Sequence, residues 1–87
     1  LKIGLLFQHG GGKVDRFKRV AVQFGVQLKL AREARGLTQE KTAELCGISP
    51  RHYHNLENGH TNPSLATALQ ISSQLGFSLD SLREEVM

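Results

Sequence analysis

The side chains able to do chemistry are spaced in ways that argue against catalysis. Four histidines, one cysteine and eight acids are present in 87 residues. No Ser/His/Asp or Cys/His set has a plausible third member. His52 and His54 stand two apart in a helical stretch, so they point to different sides and cannot jointly hold a metal. Both read as surface residues, and His9, set beside glycines, as part of a mobile tail. Cys46 has no partner for an intramolecular disulfide and reads as a small buried apolar residue. Glu40 and Glu44 share a helix face at i,i+4, a spacing that usually leaves both solvated. Gly10-Gly11-Gly12-Lys13 invites comparison with a phosphate loop, but the second glycine spacing is missing and Val14 stands where Ser or Thr is required. The residue pattern therefore implies no enzyme, no metal and no cofactor.

Charge is more informative. The net charge is +3, and it is unevenly placed. Residues 1–60 carry ten Lys/Arg and five acids, a net +5, whereas residues 61–87 carry one base and three acids, a net −2. That asymmetry points to a polyanionic partner for the first two-thirds. Hydrophobic residues make up 39 % and charged residues 22 %, near globular averages, so disorder throughout is excluded. The length corresponds to one domain, held together by packing alone or with help from a second subunit. No apolar run approaches the roughly 18 residues that cross a bilayer. Leu1 to Phe7 is too short for a secretory h-region and lacks a small-residue cleavage site. The expected compartment is the reducing cytoplasm, with no membrane partner.

These side chains must be positioned by short helices. Leu1 to Gly12 differs from the rest: Lys2 to Phe7 could pair as a short strand, and the glycine triplet breaks any helix. Residues 1–20 are thus expected to be an arm or extension, flexible or strand-forming, and residues 21–87 the folded domain. From Asp15 the pattern turns helical, with Phe17, Val20, Phe24, Leu28, Ala31 and Ala34 at three- and four-residue steps. Helix 1 is expected to start between Asp15 and Val22 and to end near Arg35, with Gly36 as its C-cap. Thr38 then offers an N-cap oxygen for a helix from Gln39 to Cys46, stopped by Gly47. Ser49-Pro50 starts the next helix, Pro50 suiting a first position where no N–H is needed, and Gly59 closes it after Asn58. Ser64 to Leu75 forms a fourth helix with Leu65, Ala68, Leu69, Ile71 and Leu75, ended by Gly76. Ser78 caps a short fifth helix with Leu79, Leu82 and Val86 on its apolar side. The fold class is all-α.

Two short helices joined by Gly47-Ile48-Ser49 have the outline of a helix-turn-helix. Gly47 supplies the positive φ of the tight turn, Ala43 lets the helix axes approach, and Ile48 and Leu56 plug the angle between them. From about Phe24 to Leu82 the chain resembles the phage-repressor/Cro-like (XRE) helix-turn-helix family. The resemblance is carried by Phe24-Gly25, Leu28 and Arg32, then Gly36-Leu37-Thr38-Gln39, Ala43 and Gly47-Ile48-Ser49. It continues through Leu56-Glu57-Asn58-Gly59, Pro63-Ser64-Leu65 and Leu75-Gly76-Phe77-Ser78-Leu79. It implies a five-helix, lambda-repressor-like DNA-binding domain.

The resemblance also implies residue roles. The helix from Pro50 to about Leu56 would lie in the major groove with its N-terminal residues at base edges. Ser49, Arg51, His52 and Asn55 are the expected base contacts, Arg51 as a bidentate partner of guanine and Asn55 of adenine or a phosphate. Thr38 and Gln39 at the start of the preceding helix, and Asn58, His60, Thr61 and Asn62 in the following loop, are the expected phosphate contacts. Arg32 and Glu57 match positions that form a partly buried ion pair. Leu79, Leu82 and Val86 form an apolar edge that closes a dimer or simply caps the core. Arg16, Lys18 and Arg19 either touch phosphates or form the wet side of helix 1.

Several positions depart from the family pattern. Thr42 and Cys46 stand where larger apolar residues are usual, Leu45 where a polar one is, and Tyr53 where Val or Ile is common. Pro50 removes a backbone donor at the start of the reading helix. The expected function is that of a homodimeric transcriptional regulator on a palindromic double-stranded DNA site. An antitoxin with a toxin partner, or a restriction-modification controller, would use the same domain. A module binding protein in place of DNA is disfavoured by the polar character of the third helix.

Overall fold

The computed structural model describes residues 12–85. Four α-helices, α1 (Gly12–Ala34), α2 (Gln39–Cys46), α3 (Pro50–Glu57) and α4 (Leu65–Leu75), are followed by a 3-10 helix at Asp80–Glu85. No strand forms among the described residues. None of their helices is long and apolar enough to cross a membrane. The short strand considered for Lys2 to Phe7 lies outside them, as does Val86.

The helix ends are those the local chemistry dictates. Thr38, Ser49 and Ser64 each sit in extended backbone and accept a hydrogen bond from the N–H three residues on, at Lys41, His52 and Thr67. Pro50 fills the first turn of α3. Gly47 ends α2 with φ +72, the left-handed conformation that lets the chain turn within three residues into α3.

The core gathers Phe24 and Leu28 of α1, Ala43 and Cys46 of α2, Tyr53 and Leu56 of α3, and Ala68, Ile71 and Leu75 of α4. Leu37, Ile48, Phe77, Leu79 and Leu82 cover its edges. Phe24 and Phe77 tie α1 to the last loop, with ring centroids 6.1 Å apart and tilted by 54°. Thr42, standing where a larger apolar side chain is usual, is fully buried and donates its hydroxyl to the Thr38 carbonyl at 2.8 Å. That bond satisfies the only polar atom its side chain brings into the core. Tyr53, the largest fully buried side chain, offsets the small volumes of Thr42 and Cys46.

Two expectations are corrected. Helix α1 starts at Gly12, ahead of the expected Asp15–Val22 window. Glycine is costly inside a helix but tolerable at its first position, where neighbouring N–H groups have no helical acceptor in any case. Second, the apolar face runs past the core. The Phe17 side chain is 64 % exposed, and Leu65 and Leu69 are 75 % and 53 % exposed on a side of α4 that no other described element covers. The short fifth helix is present as expected, in 3-10 form, with the Ser78 hydroxyl accepting from Asp80 N at 3.0 Å. Leu79 and Leu82 are half-buried against the molecule's own core.

Candidate nucleic-acid interface

The recognition segment is built by α2, a three-residue corner and α3. Helix α3 is strongly two-sided, with Tyr53 and Leu56 buried. Away from that buried side Arg51, His52 and His54 are exposed, the two histidines to either flank, and Asn55 is half-buried. Ser49 faces solvent at the corner while its Oγ accepts the His52 N–H at 3.0 Å. The structure therefore leaves Ser49, Arg51 and His52 exposed around the N-terminal end of a short helix, with Asn55 half-buried one turn after Arg51. This is the geometry by which a helix presents donors and acceptors to a groove. Asn55 has a second duty: its carbonyl accepts from His60 N at 2.9 Å and starts the loop that follows.

Behind that face lies a buried carboxylate. Glu57 Oε2 accepts from Arg32 Nε at 2.8 Å and from the Tyr53 hydroxyl. Glu57 Oε1 accepts from Arg32 Nη2 at 3.1 Å and from Gln39 Nε2 at 2.6 Å. Arg32 spends its remaining nitrogen on the Leu37 carbonyl at 2.9 Å. Both oxygens of the acid are thus fully used, the condition for burying an ion pair at tolerable cost. Burial alone would push the Glu57 carboxyl up; the hydrogen bonds from Arg32, Tyr53 and Gln39 outweigh it and hold the group below the ordinary carboxylate range. The Tyr53 hydroxyl is pushed well above its usual value by burial and by donating to Glu57. The Arg32–Glu57 pair is as expected. Tyr53 and Gln39 were not foreseen as its partners, although Tyr53 precedes Glu57 by one helical turn.

The phosphate-contact candidates are arranged around the same helix end. Thr38 caps α2, its Oγ accepting from Lys41 N at 3.0 Å. Gln39 gives one amide hydrogen to Glu57 and retains the other, so it is oriented rather than consumed. Asn58 Nδ2 contacts His54 twice, at its carbonyl (3.0 Å) and its ring nitrogen Nε2 (2.9 Å). Asn62 Nδ2 donates to the Phe17 carbonyl at 3.1 Å. His60 and Thr61 are exposed. The Asn58 and Asn62 side chains therefore brace the Asn58–Asn62 loop against α3 and α1. Lys29, His54, Gln39 and Asn58 line one open cleft with Val22 and Val26, floored by Arg32 and Glu57. Sequence reasoning overlooked Lys29, whose place three residues before Arg32 on a helix was the available signal.

A helix-turn-helix family model matches residues 28–82, which take in α2, the corner, α3 and α4. The chain belongs to the XRE-type helix-turn-helix family. It is 37 % identical over 59 residues to the SPbeta prophage-derived HTH-type transcriptional regulator YonR of Bacillus subtilis, covering 68 % of this chain and 55 % of the relative. It therefore spans about half the length of that regulator. The control protein C.MunI of a Mycoplasma species is 34 % identical over 68 residues, covering 77 % of this chain and 92 % of the relative. Among solved structures, the restriction-modification controller protein C.AhdI from Aeromonas hydrophila matches with a TM-score of 0.65 and 32 % identity. That likeness covers 75 % of this chain and 94 % of the controller. Helices α2, α3 and α4 of this member sit where the sequence placed them, and the exposed face of α3 is its reading candidate.

Proposed function

We propose that this chain is a sequence-specific, double-stranded-DNA-binding transcriptional regulator that inserts α3 into the major groove. The observation that carries it is the two-sidedness of α3: Tyr53 and Leu56 anchor one face in the core while Ser49, Arg51 and His52 stay exposed around its N-terminal end, with Asn55 half-buried one turn after Arg51. Arg51 is the guanine-reading residue in this scheme, and Asn55, one turn on, reads adenine or steadies a phosphate. Thr38, Gln39 and the Asn58–Asn62 backbone set the register on the phosphates. The relatives are named as regulators and controllers, which favours regulation over catalysis. Within regulation, C.MunI and C.AhdI favour a compact controller, since this chain covers nearly the whole of each. Two copies would place their α3 helices in successive major grooves about 34 Å apart, on a palindromic site in the cytoplasm.

Selection from a random duplex library at fixed salt, with wild type and Arg51→Ala, tests this function. Selective loss of one base-pair preference in the variant is expected, at roughly 1–3 kcal/mol of discrimination. Failure of the wild-type protein to enrich any sequence or to bind any duplex in a salt-dependent way would refute it.

A further inference from the structure

Helix α1 has 23 residues, nearly three times the length of α2 or α3, and sixteen of them precede the family match. Its extra length is not free of the DNA-facing loop. Val22 lies against Gly59, where an added Cβ would fall 3.0 Å from Val22 Cα. The Phe17 carbonyl receives the Asn62 amide at 3.1 Å. The edge of α1 holding Val22 thus borders the Asn58–Asn62 loop along its length. Two cations stand on that edge. Lys18 is one turn before Val22, and Lys29 is two turns after it, in the cleft with Gln39, His54 and Asn58. Their separation of eleven positions makes close to three whole turns, so both side chains leave the same side of the helix from backbone positions about 16 Å apart. Both are exposed, and neither pairs with a described acidic side chain. Arg19, around the helix from them, is tied to Glu85 at 3.5 Å.

From this placement we propose that Lys18 and Lys29 are two further DNA phosphate contacts, on a rail along α1 that extends the footprint beyond the helix-turn-helix. The inference rests on the DNA-binding function above and names a second element for it. Side chains rooted about 16 Å apart on one helix face contact different phosphates, so each lysine neutralises its own. Both act through charge and carry no base information. Lys29 completes a seat whose other donors are the retained Gln39 amide hydrogen and the backbone after Asn58. Lys18 meets the strand where it leaves the loop at Asn62.

Counterion release provides the readout. The slope of log Kobs against log salt changes by about 0.9 for each phosphate neutralised. Lys18→Gln/Lys29→Gln is therefore expected to shallow the slope by about 1.8 per protomer, and each single variant by about half of that. The library-selected base preference should not change, and Lys18→Arg/Lys29→Arg should restore the slope. Thermal melts of all variants, which remove only exposed ammonium groups, should match wild type. An unchanged slope in the double glutamine variant, a change confined to one lysine, or a change that arginine does not restore would overturn the proposal while leaving the Arg51 result standing. Absence of any duplex binding by the wild-type protein would overturn both.

Discussion

Glu57 is a buried acid whose two oxygens accept four hydrogen bonds, from Arg32 (two), Tyr53 and Gln39. Removing one member leaves another uncompensated. Arg32→Leu is expected to cost about 3 kcal/mol or more in denaturant unfolding, since it strands a carboxylate only 4 % exposed. The double change Arg32→Leu/Glu57→Leu should be far milder than the sum of the singles, because no charge is left buried. The same acid sets a pH dependence. Its folded pKa lies below its unfolded one, so its stabilising contribution is complete above the ordinary carboxylate value of about 4.3. That contribution disappears as pH falls through the lower, folded value. Thermal melts between neutral pH and pH about 3 should show Tm dropping at the acid end in wild type. Glu57→Gln should be less stable at neutrality and show a smaller acid-side drop. An equal drop in both proteins would place the titrating group elsewhere.

Among the elements, the crossing of α1 over the end of α3 is the tightest joint. A Cβ at Gly25 would lie inside van der Waals contact of the Leu56 and Glu57 carbonyl oxygens, so Gly25→Ala must push two helices apart. A loss of about 1–3 kcal/mol is expected by chemical denaturation, with weaker duplex binding as α3 shifts. Ser49→Ala should cost about 1 kcal/mol through loss of the α3 N-cap. Both joints were legible to different degrees. The caps at Thr38, Ser49 and Ser64 and the Gly47 corner follow from local residue chemistry, and α2, α3 and α4 fall within a residue of where that chemistry puts them. Gly25 was visible only as part of the family pattern, because the atom that forbids a side chain belongs to a residue more than thirty positions away. The exposure of Phe17, Leu65 and Leu69 was hidden for a related reason: periodicity reports which face is apolar, not how far the neighbouring elements extend. Likewise the sequence could pair Arg32 with Glu57, but Tyr53 and Gln39 join them only because three helices end at one point.

The described molecule is elongated, measuring 39 × 21 × 21 Å. Leu82 is partly buried against its own core, so a dimer edge would draw on what Leu79 and Leu82 leave exposed. Leu82→Asp is expected to sediment as a folded monomer if this edge joins two copies, with circular dichroism confirming the fold. A folded protein of unchanged mass would count against this edge as a dimer contact. The +5 of the first sixty residues also acquires a place: Arg32 is internally neutralised and Arg19 is tied to Glu85, while Lys18, Lys29 and Arg51 remain outward. The carboxylate at Glu57 carries one more implication. It anchors the end of the reading helix, the Gln39 amide and α1 at once, so a genetic screen for loss of repression or activation would recover Arg32, Tyr53 and Glu57 beside Arg51. If two copies pair as proposed, the two groups would separate by dominance: alleles that unfold the chain should be recessive, whereas folded Arg51 variants should poison the wild-type copies they pair with.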